Sequence, residues 1–129
     1  MKIAAHIAAS LLGLIFIVFS LMVLLHMAPN PQLPPDSPAD HFMKAVGPTG
    51  FMIFVKIFEL TGGILVVIPK TRNLGLLVLG PIILNILAFH TLIMGGAGLV
   101  GIPLLIGALA LFLLIAERHA FAGLVTRTP

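Results

Sequence analysis

The sequence predicts an all-α integral membrane protein, a single bundle of four transmembrane helices. Three observations predict it. The 129 residues are 60% hydrophobic and 9% charged, with a mean hydropathy of +1.22, whereas soluble domains sit near about 45–50% apolar and about 25% charged. The apolar residues fall in long blocks, as a bilayer span requires, where a soluble core would scatter them. The basic residues flank those blocks unevenly: Lys2, Lys70, Arg72, Arg118 and Arg127 fall on one side of a four-span arrangement, and Lys44, beside Asp36 and Asp40, on the other. By the positive-inside rule both termini are then cytoplasmic, and the first connecting loop faces outward.

The first span covers residues 3–27. A lone Lys2 before an apolar run resembles the start of a signal peptide, but the run is about twice the roughly 7–15 residues of a signal's apolar region. It is read as a retained helix, with Ala5, Ala9 and Gly13 spaced for close helix contact. Residues 28–48 form the outer loop, where five prolines between Pro29 and Pro38 forbid a regular helix. Within it, Asp40 is expected to cap a short turn through Lys44, ended by Gly47-Pro48. The second span covers 49–68 and carries Lys56 and Glu59. A tight basic turn, Pro69 to Asn73, leads to the third span at 74–94, with Pro81, Asn85 and His90. Pro81 deprives the Leu77 carbonyl of its partner and is expected to kink this helix. After Gly95-Gly96-Ala97-Gly98, the fourth span covers 99–116, with Pro103 near its start, where a missing N–H costs little. A short polar tail follows. The length allows one domain, residues 1–129, with no internal repeat.

Composition excludes several kinds of chemistry. The net charge of +3 does not imply nucleic acid, because there is neither a basic stripe nor aromatic interleaving. With no cysteine the chain cannot exchange disulfides, hold an iron–sulfur cluster or build a thiolate zinc site. No metal site and no intrinsic cofactor is evident, so any redox work needs a bound cofactor or a partner. Trp and Tyr are also absent, so the usual interfacial belt is missing, and Phe42, Phe51 and Phe121 near the helix ends have no polar tip to replace it. No phosphate-binding loop or Ser-His-Asp arrangement occurs.

The polar residues inside the spans carry the functional argument. An ionisable side chain at mid-bilayer costs at least about 2.5–3.5 kcal/mol, so it needs a reason. Lys56 and Glu59 are three apart on one helix face and can pair; a structural pair and a ligand or proton site are both open readings. At about 1.5 Å rise per residue, Glu59 and Asn85 fall near mid-membrane, with Lys56 and His90 nearer the outer face and His26 at the rim. The five form a polar column opening toward the proline-rich loop. Histidine titrates near neutrality, so His90 suits proton transfer, and haem or chlorin ligation by His26 and His90 is an alternative that lacks an attachment motif. His6 and His119 read as interfacial residues. Gly62-Gly63 and Gly80 permit close backbone contact.

The stretch from Phe51 to His90 resembles the DoxX family of small four-helix bacterial membrane proteins. The matching features are Lys56-x-x-Glu59-x-x-Gly62-Gly63, the Pro69-x-x-Arg72-x-x-Gly75 turn, and Leu79-Gly80-Pro81 followed by Asn85 and His90. Gly13-Leu14-Ile15-Phe16 is similar to the family's first helix. The resemblance implies a four-helix bundle in the bacterial cytoplasmic (inner) membrane, linked to membrane redox chemistry such as the quinone-reducing subunit of thiosulfate oxidation. The expected function is therefore a subunit contacting quinone or lipid within a membrane redox complex. Glu59 and His90 would act as the catalytic, proton-handling residues, and Lys56, Asn85 and His26 would bind ligand. Its partners would be the lipid bilayer and other membrane-protein subunits. The rival expectation is a non-catalytic accessory subunit of a larger respiratory or photosynthetic complex. A small transporter is a third class, without an inverted repeat to support it.

Overall fold

The computed structural model describes residues 2–30 and 32–126. Six α-helices and no strand occur among them: α1 (Lys2–Leu24), α2 (Pro38–Val46), α3 (Phe51–Val67), α4 (Arg72–Ala88), α5 (Ile102–Ala116) and α6 (Arg118–Val125). A 3-10 turn, Pro69–Thr71, precedes α4, and a π turn, Phe89–Ile93, extends it. Helices α1, α3, α4 and α5 close a four-helix bundle in which α1 and α4 each pack against both α3 and α5. Helix α2 turns 90° from α3, and α6 turns 80° from α5, so each crosses an end of the bundle. By length and composition two helices, α1 and the continuous Pro69–Ile93 helix, suffice to cross a membrane, or up to four if each bent pair counts as one span.

The packing of α1 reverses the pattern of a soluble helix. Its inward face is Ala5, Ala8, Ala9, Leu12, Gly13, Phe16 and Ser20, while Ile3, Ile7, Leu11, Leu14, Val18 and Leu21 are exposed. Apart from Leu12 and Phe16 the inward residues are small and the outward ones large and apolar, a pattern that suits helices packed within lipid. Buried Ser20 bonds the carbonyls of Phe16 and Ile17 within its own helix, so it leaves no unsatisfied hydroxyl.

Glycines set the closest approaches. A Cβ added at Gly13 would meet the Val67 side chain and lie 2.7 Å from the Gly63 carbonyl oxygen, so α1 and α3 touch backbone to backbone. On the other side of α3, a Cβ on Gly75 of α4 would lie 2.6 Å from the Val66 nitrogen and 2.9 Å from the Gly62 oxygen. Gly80, expected at a similar contact, instead has nothing within 4 Å of its Cβ position.

Several local expectations are corrected. Ser37, not Asp40, is the N-cap of α2: its hydroxyl accepts from the Asp40 N–H at 3.2 Å. That leaves Asp40 in the first turn, where a carboxylate faces the positive end of the helix. Helix α4 continues through Pro81, where a kink was expected, and a π turn follows it at Phe89–Ile93. Residues 118–125 form α6 in place of a polar tail, anchored by half-buried Phe121 against the core. Arg127, counted in the charge bias, lies outside the described residues.

The end of the bundle opposite α2 is locked by an arginine. Arg72 is only 4% exposed; its Nε donates to the Val66 carbonyl at 3.1 Å and its Nη2 to His6 Nδ1 at 3.2 Å. Arginine can only donate, so His6 presents an unprotonated Nδ1 here. Glu117 Oε1 lies 3.9 Å from Nη1. His6, read from sequence as merely interfacial, thus helps tie α1, α3, α4 and the end of α5 together.

These contacts predict opposite outcomes for two glycine substitutions. Gly13→Leu is expected to destabilise the bundle by at least about 1–3 kcal/mol through overpacking. Gly80→Ala should be neutral or stabilise by up to about 1 kcal/mol, because it only improves helix propensity. Thermal unfolding in detergent, followed by circular dichroism, distinguishes them.

Candidate functional site

A cavity of about 600 Å³ lies between α3 and α4 beneath α2. Such a volume lies within the roughly 300–1,000 Å³ of small-ligand pockets. Helix α2 supplies Phe42, Met43 and Val46; α3 supplies Phe51, Val55, Lys56 and Glu59; the α4 segment supplies Asn85, Phe89 and His90. The surface is mostly apolar, and the Phe42 and Phe89 rings pack with centroids 5.3 Å apart, joining α2 to the π turn.

A second cavity, about 370 Å³, lies on the α1–α5 side and is lined by Phe16, Phe19, Pro103 and Ile106. Lys56, Glu59, Ile86 and His90 line both cavities, so the polar residues form the partition between them.

Within that partition, Lys56 Nζ lies 3.3 Å from Glu59 Oε1 and 3.2 Å from Oε2, one ammonium bridging both oxygens. Glu59 is 4% exposed, so its charge is held by this pair and by little water. The i, i+3 spacing on α3 places the two side chains side by side, one turn apart. His90 sits in the π turn, and its Nδ1 lies 2.8 Å from the Ile86 carbonyl oxygen. A carbonyl only accepts, so Nδ1 carries a hydrogen here, and Nε2 is the lone-pair nitrogen of that tautomer. Asn85 Nδ2 donates to the Pro81 carbonyl at 2.8 Å.

Four of the five residues read from sequence, Glu59, Lys56, Asn85 and His90, therefore share one cavity wall. His26 stands apart: it is exposed, lines neither cavity, and terminates α1 with a φ of 58°. The N–H groups of His26 and Met27 return to the carbonyls of Val23 and Met22, a Schellman closure whose left-handed position glycine usually fills. No group of three or more His, Asp or Glu residues able to hold a metal occurs among the described residues.

Sequence reading missed the roof. Ala39, Phe42, Met43 and Val46 recur at helical spacing and turn one face of α2 toward the bundle, a signal that was present in the chain. Thr49 ties the corner below it: its hydroxyl donates to the Val46 carbonyl at 2.6 Å and accepts from the Phe51 N–H at 3.1 Å.

No family model, curated protein or solved structure matches the chain.

The roof carries its own pH dependence. The hydrogen bond from Lys44, 2.9 Å away, and that from the Asp36 N–H hold the Asp40 carboxyl below its ordinary value. A depressed folded-state pKa contributes stability above the ordinary carboxylate range, and the contribution is lost as pH falls through the depressed value. Amide exchange in α2, corrected for intrinsic rates, is expected to quicken as pH drops below about 4. Asp40→Asn should quicken it at neutral pH and abolish the step.

Proposed function

We propose that this chain is a DoxX-like, multi-pass subunit of the bacterial cytoplasmic membrane that holds an amphipathic molecule, a quinone or lipid, for a membrane redox complex. The observation that carries this reading is the apolar cavity whose wall bears Lys56, Glu59, Asn85 and His90. An apolar pocket with a few convergent polar groups is the usual form of a small-molecule site. The small-inside, large-outside packing supports insertion in lipid. Lys2, Lys70, Arg72 and Arg118 lie toward the Arg72 end, which supports placing that end in the cytoplasm. Helices α3 and α5, at 17 and 15 residues, are short for a bilayer; α2 and α6 then lie in the two interfaces, and the membrane thins slightly around them.

The cavity fits a quinone: its volume takes a substituted ring with part of a tail, and its aromatic and polar groups suit the two. A bound quinone supplies two-electron, two-proton redox chemistry. The chain's own residues exclude water, orient the head through Asn85 and Lys56, and hold protons at Glu59 and His90. In this reading a partner subunit supplies the electrons. The competing reading, an accessory subunit without ligand, draws on the mutual neutralisation of Lys56 and Glu59, which a purely structural pair also shows.

Binding of a decyl-substituted benzoquinone to the purified chain in lipid nanodiscs, by equilibrium dialysis, tests the proposal. One molecule per chain is expected to bind, and Ala88→Trp, which fills the cavity, should weaken binding at least about tenfold, or about 1.4 kcal/mol. Glu59→Gln should weaken it too. If both variants bind like the parent and Glu59→Gln alters only thermal stability, the pair is structural and the accessory reading stands.

A further inference from the structure

We infer that the cavity selects a hydroxyl-bearing head, a quinol or phenol, over a head that only accepts hydrogen bonds or carries an anion. The inference rests on the amphiphile-site reading above and follows from counting the hydrogen-bonding capacity left unused in the wall. His90 Nδ1–H is spent on the Ile86 carbonyl, so in that tautomer of the ring the remaining nitrogen, Nε2, is an acceptor with no partner among the described residues. Asn85 spends one amide hydrogen on the Pro81 carbonyl, and the opposite amide orientation would set oxygen against oxygen. Its Oδ1 is therefore fixed as the free acceptor.

Glu59 tilts the count further. Its two oxygens offer about four lone-pair sites, and among the described residues Lys56 Nζ is the one side-chain donor that reaches them. The free donors are few: the spare hydrogen of Asn85 Nδ2 and what Lys56 keeps after bridging the carboxylate. The wall thus holds more acceptors than donors. A hydroxyl donates to such a wall and still accepts from Lys56 or Asn85, while a quinone carbonyl only accepts and leaves the acceptors of the wall without partners. A site built of acceptors discriminates against a ligand lacking the donor, because the unmatched groups lose water without gaining a partner.

Charge excludes the other amphiphiles. Lys56 and Glu59 cancel, so the pair offers an anion no net attraction. A phosphate or carboxylate head would lie against the Glu59 carboxylate. A neutral ring bearing hydroxyls avoids that repulsion and packs against Phe42, Phe51 and Phe89.

The test compares matched probes on the full chain in nanodiscs under anaerobic conditions: a decyl-substituted benzoquinol, its quinone, and a short-chain phosphatidylglycerol as competitor. The quinol is expected to bind about tenfold more tightly than the quinone, the factor set by one matched hydrogen bond. Asn85→Ala, which removes the free acceptor Oδ1 together with the spare Nδ2 hydrogen, should shrink that ratio by weakening quinol binding more than quinone binding. Phosphatidylglycerol should not displace the quinol. Equal binding of quinol and quinone, or tighter binding of the quinone, overturns the inference while leaving the amphiphile site intact. Displacement by phosphatidylglycerol overturns it in favour of an anionic lipid. Absence of binding by every probe overturns the site itself and this inference with it.

Discussion

The bundle depends on two adjacent glycines in α3 that let neighbouring helices reach its backbone from both sides. Gly63 meets Gly13 of α1, and Gly62 meets Gly75 of α4. For helices long and apolar enough to cross a membrane this matters, because in lipid no hydrophobic force draws helices together and close contact and dispersion do it instead. Both contacts lie in the same half of the molecule, the half that Arg72 closes by gripping His6 and the Val66 carbonyl. The other half is packed with larger side chains, and there both cavities lie. Tightness at one end and space at the other are consequences of where the glycines fall along α3.

The polar residues stand where the bundle opens. Glu59 is one turn of α3 from Gly62-Gly63, just beyond the point of tightest packing, and its carboxylate meets Lys56 within the same helix. Pairing within one helix leaves the neighbouring helices free of that bond. Asn85 and His90 likewise bond carbonyls of their own helix, at Pro81 and Ile86. Among the described residues none of the four is tied to another helix by a side-chain hydrogen bond, so the wall keeps capacity for a molecule that the bundle itself does not use. Arg72 is the opposite case: its bonds cross between helices, and it closes its end.

Much of the architecture was legible in the chain because its signals are local. Four apolar blocks, broken by prolines and glycines, place the four bundle helices within a few residues of their ends. The three-residue spacing of Lys56 and Glu59 announces their pairing, and antiparallel spans of known rise set Asn85 and His90 at related depths. What was not legible depends on convergence. Arg72 reads as one flanking charge until three other segments meet it, and His26 reads as a rim ligand until the chain reversal at α1 sets its backbone in a left-handed turn. Helix α2 was hidden by the proline run, which ends at Pro38, in the first turn of the helix, where proline is tolerated. Helix α6 was hidden by the charged residues at its start, and only the burial of Phe121 reveals which way it lies.

The central claim is that the open half of the bundle holds a redox-active amphiphile beside Lys56, Glu59, Asn85 and His90. The most direct measurement is an absorption spectrum of the natively purified, partner-free chain before and after chemical reduction. With no Trp, Tyr or Cys, the polypeptide absorbs in the near ultraviolet almost only through its phenylalanines, so a bound chromophore stands out. The account predicts a band beyond phenylalanine absorption that shifts or bleaches on reduction and is lost in a variant whose cavity is filled. A spectrum of phenylalanine alone, unchanged by reduction, would contradict it and leave the bundle as a structural subunit.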